Sequence, residues 1–139
     1  MFRVLSSPLL LLALLALIFV LHVTAIYLNW YWDFDGVDNV YHFIGGAWVA
    51  LLFFYIFFTR GELFPIRGNF LPALIFSIGF VLLISVGWEF FEFIFDQFFG
   101  GSGTVRQAQL GVADTMGDLF SDIVGGMTAS LLFIFSSKK

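Results

Sequence analysis

Four long apolar stretches, separated by short polar ones, organise this chain. The first runs from Leu5 to Tyr27 and contains "LLLLALLALIFVLHV". The others run from Val40 to Phe58, Phe70 to Phe95 and Ala113 to Phe135. About 20 mainly apolar residues suffice for a helix to cross a bilayer, so the pattern predicts four transmembrane helices joined by short loops. The expected fold is an all-α, integral membrane four-helix bundle in which residues 1–139 form one transmembrane domain. The start has a second reading. Arg3, an apolar run and "VTA" ending at Ala25 resemble a secretory signal with its cleavage site. The run is long for a signal core, so it is read as a retained span.

Polar residues are placed as regularly as the apolar ones. Asp38, His42, Gly46 and Ala50 recur every four residues and share one helical face. Ser85, Glu89, Glu92 and Asp96 make a second face, and Asp114, Asp118, Asp122, Gly126 and Ser130 a third. Beside the third runs a stripe of small residues, Gly117, Ser121, Gly125 and Ala129. Small residues let membrane helices approach closely. The acid-bearing faces therefore continue, deeper in the bilayer, as faces suited to helix contact. The opposite faces are rich in Phe and Leu and suit lipid.

Composition agrees with a bilayer protein. The chain is 60% hydrophobic and 12% charged, where a soluble domain is roughly 45–50% apolar and 25% charged. With no cysteine, disulfides, thiolate nucleophiles and Cys-ligated metals are excluded. No basic stripe is present, so nucleic acid is not an expected partner. The distribution of charge says more than the net value of −4. Arg3, Arg60, Arg67, Lys138 and Lys139 fall on one side of the membrane and Arg106 on the other. By the positive-inside rule, both termini and the loop "TRGELFPIRGN" are expected in the cytoplasm, in a multi-pass protein of the plasma or inner membrane. The loops around residues 29–38 and 96–112 then face outward. Of the ten acidic residues, all but Glu62 gather on that outer side, together with His22 and His42.

A carboxylate within a membrane span is expensive and marks a working site by default. Asp38, Glu89, Glu92, Asp114, Asp118 and Asp122 would bring several negative charges to one depth. Crowding and desolvation both disfavour ionised carboxylates. Protonation of some groups, a bound divalent cation, or a cationic partner would each resolve the conflict. Helical bundles build metal sites from inward carboxylates and His at one-turn spacing. His42, Glu89, Glu92, Asp114, Asp118 and Asp122 are therefore the expected metal ligands. Oxygen ligands favour Mg²⁺, Mn²⁺ or Ca²⁺, and a His admits Zn²⁺ or Fe²⁺. Asp38, Glu92 and Asp118 are the expected catalytic groups, as ligands or general base, with the cation activating water for hydrolysis. Arg106 is expected to receive an anionic head group, and "GGSG" at 100–103 would let its loop act as a lid.

Blander roles are open to several of these residues. Asp114 could cap the fourth span by accepting backbone N–H bonds. Asp33 and Asp35, in "NWYWDFDG", read as solvated residues after an interfacial aromatic belt. Trp48 and Trp88 read as packing or interfacial residues, and His22 as a hydrogen-bonded residue within the bundle.

The segments "YWDFDGVDNVYHFIGG", "GWEFFEFIFD" and "DTMGDLFSDIVGGM" resemble the small polytopic membrane proteins of the YjdF-like and VanZ-like groups over roughly residues 30–130. The YjdF-like likeness is the closer. VanZ-like proteins carry Gln and Asn where this chain has Glu92 and Asp122. The resemblance implies that Asp38, His42, Glu89, Glu92, Asp114, Asp118, Asp122 and Gly125 are signature positions, and it implies a role at the cell envelope. Three functions are then in competition. One is a metal-dependent hydrolase or transferase acting on a lipid or envelope intermediate. Another is a non-catalytic accessory subunit, partnered in a membrane complex or a homo-oligomer. The third is a proton- or cation-coupled transporter, which the apolar inner halves of the spans disfavour.

Overall fold

A computed structural model describes residues 7–61, 69–100 and 106–136. Arg3, Glu62, Arg67, Lys138, Lys139 and residues 101–103 of the glycine-rich loop lie outside the described residues. The elements are α1 (Pro8–Tyr27), a short α2 (Trp30–Asp33), α3 (Val37–Phe54), α4 (Phe70–Phe98) and α5 (Val112–Ser136). The last turns of the α3 rod, Tyr55–Arg60, widen into π-type geometry. Four of these helices are long and apolar enough to cross a bilayer, and they pack as a bundle. Among the described residues there is no strand.

Local chemistry sets the boundaries. Ser7 caps α1, its hydroxyl accepting the Leu10 N–H at 3.1 Å, and Pro8 occupies the first turn, where no intrahelical N–H is needed. Gly36 precedes α3 with φ +81°, a left-handed conformation that a Cβ disfavours. The helix then begins at Val37, so Asp38 lies within its first turn. α4 runs on to Phe98 and carries Asp96 inside its last turn.

Helix contact rests on the small residues. Lipid tails are as apolar as Leu, so burial of apolar surface does little to drive helices together in a bilayer; close packing does. α3 and α5 make the most intimate pair. A Cβ on Gly46 would collide with the backbone of Asp122, and one on Gly125 would collide with the Phe43 carbonyl. Gly126 faces Val81 of α4, 2.9 Å from where its Cβ would stand. At one end of the bundle, Phe53, Phe54, Ala73, Phe133 and Ile134 form a buried cluster, with Phe54 and Phe133 stacked at 4.3 Å. Val49, Ala50, Val81 and Ala129 extend it. α1 joins through Trp48, whose indole N–H donates to the Leu11 carbonyl at 2.9 Å.

Candidate metal centre

The starts of α3 and α5 and the end of α4 meet at the opposite end of the bundle. His42 is their common point. It is buried on α3, and its Nδ1 lies 2.9 Å from Asp122 Oδ2 of α5. With a proton on Nδ1, His42 donates to Asp122, and Nε2 is turned toward the remaining acids. Carboxylates behind metal-ligating histidines commonly select the tautomer in this way. On the Nε2 side stand Asp38 Oδ1 at 3.7 Å and Asp118 Oδ1 at 3.9 Å. Both separations are too long for a hydrogen bond. They match the roughly 3–4 Å between two ligands that each lie about 2.1 Å from one ion.

Among the described residues, two overlapping groups could hold a cation. One is Asp38, His42 and Asp118, and the other is His42, Glu89 and Glu92; in each, one ligand atom per residue lies within 4.8 Å of the others. Neighbours hold these acids in place. Asn39 Nδ2 donates to Asp118 Oδ1 at 3.1 Å, and the Trp88 indole N–H donates to Glu92 Oε1 at 2.9 Å. Gln109 Nε2 donates to Glu89 Oε2 at 3.3 Å and to Thr115 Oγ1 at 2.9 Å. The other oxygen of Glu89, Oε1, is buried and has no hydrogen-bond partner. A buried carboxylate oxygen without a partner forfeits about 1–3 kcal/mol or more. A cation shared with His42 and Glu92 would supply the missing interaction.

The other expected site residues are placed differently. Asp114 belongs to neither group, and its Oδ2 accepts the Leu110 N–H at 2.9 Å. Asp122 likewise belongs to neither; it holds His42 from behind. Asp96 accepts the N–H groups of Ala108 and Gln109 at 2.9 Å each, which folds the loop before α5 back onto α4. Arg106 is exposed, with Cζ 5.1 Å above the Trp32 ring. Asp33 and Asp35 are exposed.

His22 faces a separate aromatic group. Its Nδ1 lies 2.6 Å from Tyr31 Oη, and the rings of Tyr31, Tyr41 and Trp88 stand edge-on to it. Burial raises the pKa of Tyr31 well above its ordinary value, and Asp38, Tyr41 and Glu92 push the same way, so its hydroxyl keeps its proton. Tyr41 ties α3 to α1 through the Leu21 carbonyl at 2.8 Å.

Asn39, Gln109, Tyr31 and the indole of Trp88 had not stood out in the sequence as neighbours of the acids. Asn39 could have been found, since it adjoins Asp38 in the first turn of the same span. Gln109 offers no such signal, because only the clamp by Asp96 brings its loop to Glu89. No curated relative and no solved structure matches the chain. A family described as "Predicted membrane protein (DUF2238)" matches it over residues 1–139, and this four-span protein belongs to that family.

Proposed function

We propose that this protein binds one divalent cation in the His42–carboxylate cluster and uses it in a hydrolase or transferase reaction on a lipid or cell-envelope intermediate. The spacing around His42 Nε2 carries the reading: two acid oxygens stand at ligand-to-ligand distance and beyond hydrogen-bond distance. The unpartnered Glu89 Oε1 supports it from a third helix. His42, Asp38 and Asp118 hold the cation, Glu89 and Glu92 complete the set from α4, and Asp122, bonded to Nδ1, orients the ring so that Nε2 faces the cation. Asp114 shapes the loop in this reading. One nitrogen among carboxylate oxygens suits Mg²⁺, Mn²⁺, Ca²⁺ or Zn²⁺.

Such a cation acts as a Lewis acid toward a phosphoryl or carbonyl oxygen and makes water a better nucleophile. Asp38 and Glu92 are only half-buried, and they are the members placed to accept a proton from water. Arg106, held over Trp32 at the same end, is available to an anionic head group. The distribution of basic residues along the sequence supports an outward orientation of this end, in the plasma or inner membrane. The YjdF-like resemblance supports the choice of residues, since Asp38, His42, Glu89, Glu92 and Asp118 are among its signature positions.

Elemental analysis of the purified protein, beside a variant carrying Glu92→Ala and Asp118→Ala, tests the proposal. About one equivalent of cation in the parent and none in the variant is expected, with helical circular dichroism unchanged. A metal-free parent whose melting shifts with neither EDTA nor added Mn²⁺ would refute it.

A further inference from the structure

One flank of the cluster opens sideways, between α4 and α5. A cleft of about 350 Å³ lies there, lined by Val86, Glu89, Phe90, Phe93, Gln109, Thr115 and Leu119. Its walls are Val86, Phe90, Phe93 and Leu119, and its polar groups are Glu89, Gln109 and Thr115, which the Gln109 amide links together. Val86, Phe90 and Phe93 are exposed on a helix long and apolar enough to cross the membrane, so the neighbour of this wall is bilayer. Glu89 belongs to both places. It lines the cleft, and it is one of the acids grouped with His42 and Glu92. The apolar cavity is therefore continuous with the candidate cation site through a buried carboxylate that keeps one oxygen unpartnered.

We infer that the cleft seats one acyl chain of a phospholipid, entering sideways from the bilayer, with its phosphate at the Glu89 end against the bound cation. This rests on the reading of the cluster as a cation site. Charge decides the head group. Without a cation, the acids around His42 repel a phosphate. With one, an anionic oxygen completes the coordination shell, and hard divalent cations favour phosphate oxygens. The apolar walls make no demand on chain chemistry and suit a hydrocarbon tail. Capture of the lipid therefore requires the cation, whereas capture of the cation does not require the lipid.

The test uses the full-length protein in nanodiscs of phosphatidylglycerol doped with a diazirine-tailed analogue, with Mn²⁺ or with EDTA, and adducts mapped by peptide mass spectrometry. Labelling is expected to concentrate on Val86, Phe90, Phe93 and Leu119 and to fall strongly in EDTA. Val86→Phe fills the cleft from an exposed position that the fold tolerates, and Leu119→Trp fills it from within. Each should lower cleft labelling about tenfold, equivalent to roughly 1.4 kcal/mol, while Mn²⁺ binding by calorimetry stays at the parent value. Adducts spread evenly over the lipid-facing helices and indifferent to Val86→Phe, in protein that still binds Mn²⁺, overturn the acyl seat and leave the cation site standing. Protein that binds no Mn²⁺ and labels the cleft equally with and without EDTA overturns the head-group assignment together with the cation site. A photoreactive residue at Phe93 that captures a second protein chain instead of lipid assigns the cleft to self-association and overturns the proposal.

Discussion

The two ends of the three-helix core α3, α4 and α5 solve the same problem in opposite ways. At the apolar end, the buried polar atoms are hydroxyls: a serine pair, and Thr59 Oγ1, which has no hydrogen-bond partner. Ser77 and Ser130 lie 2.8 Å apart, and the Ser77 hydroxyl also reaches the Leu74 carbonyl at 3.0 Å. In the same half of the bundle, Phe54 and Phe133 stack, and Phe53 meets Phe54 edge-on. At the other end, His42, Glu89, Asp118 and Asp122 are buried as well; two acids stand near His42 Nε2 beyond hydrogen-bond distance, and Glu89 Oε1 has no partner. Burying an ionisable group costs far more than burying a hydroxyl, and a core built for stability alone does without such groups. The contrast within one set of helices is therefore one of charge: hydroxyls and phenyl rings gather at one end and ionisable groups at the other, and it is the second that we propose as the binding site.

The join between the two ends is the place to break both at once. Gly125→Val puts side-chain atoms where the Phe43 carbonyl stands, and backbone cannot move aside as a side chain can. The helices must separate, and a loss of at least about 3 kcal/mol is expected, read as a collapsed melting transition in detergent and loss of Mn²⁺ binding in the same sample. His42→Ala should lower both properties. Cation affinity falls about 100-fold or more, equivalent to roughly 2.7 kcal/mol, while stability in EDTA falls by about 1–3 kcal/mol, because the buried Asp122 carboxylate loses its partner. Phe133→Ala should divide them. Lipid is as apolar as the core, so the cavity contributes most of the penalty; roughly 1–3 kcal/mol of stability should go, with Mn²⁺ affinity retained in the folded fraction.

Smaller changes sharpen the comparison. Asp122→Asn keeps every proposed ligand but removes the carboxylate behind His42 Nδ1, so affinity should drop by about 10- to 100-fold with little change in melting. The pH profile should share its sign with the ligand chemistry. Protons compete with the cation for carboxylates and for Nε2, so calorimetric affinity should weaken steadily from about pH 8 to about pH 5. The smallest effect is expected at the serine pair. Ser77→Ala removes the donor to Leu74 and strands Ser130, for about 1 kcal/mol, whereas Ser130→Ala leaves Ser77 bonded to Leu74 and should lose only a few tenths. Equal losses from both would mean that the pair does not work as described.

Hydrophobic pattern alone determined that the chain crosses the membrane four times as helices, because the length of an apolar run and the need to satisfy backbone groups in lipid leave no other regular solution. Helical spacing also determined which faces carry acids, since side-chain direction follows from 3.6 residues per turn. Neither could decide how those faces meet. The depth of contact between α3 and α5 depends on Gly46 and Gly125 finding particular backbone atoms on the partner helix, and that contact sets Asp122 behind His42 while Asp118 stands before it. The role of Asp114 was equally open, as spacing matches it to Asp118 and Asp122, while the path of the loop gives its carboxylate to Leu110. Gln109 reaches Glu89 only because Asp96 clamps the loop between them. Periodicity is local and can be read along the chain. Which of two neighbouring carboxylates turns toward a histidine depends on distances of about an ångström between segments far apart in sequence, and only packing in three dimensions sets those.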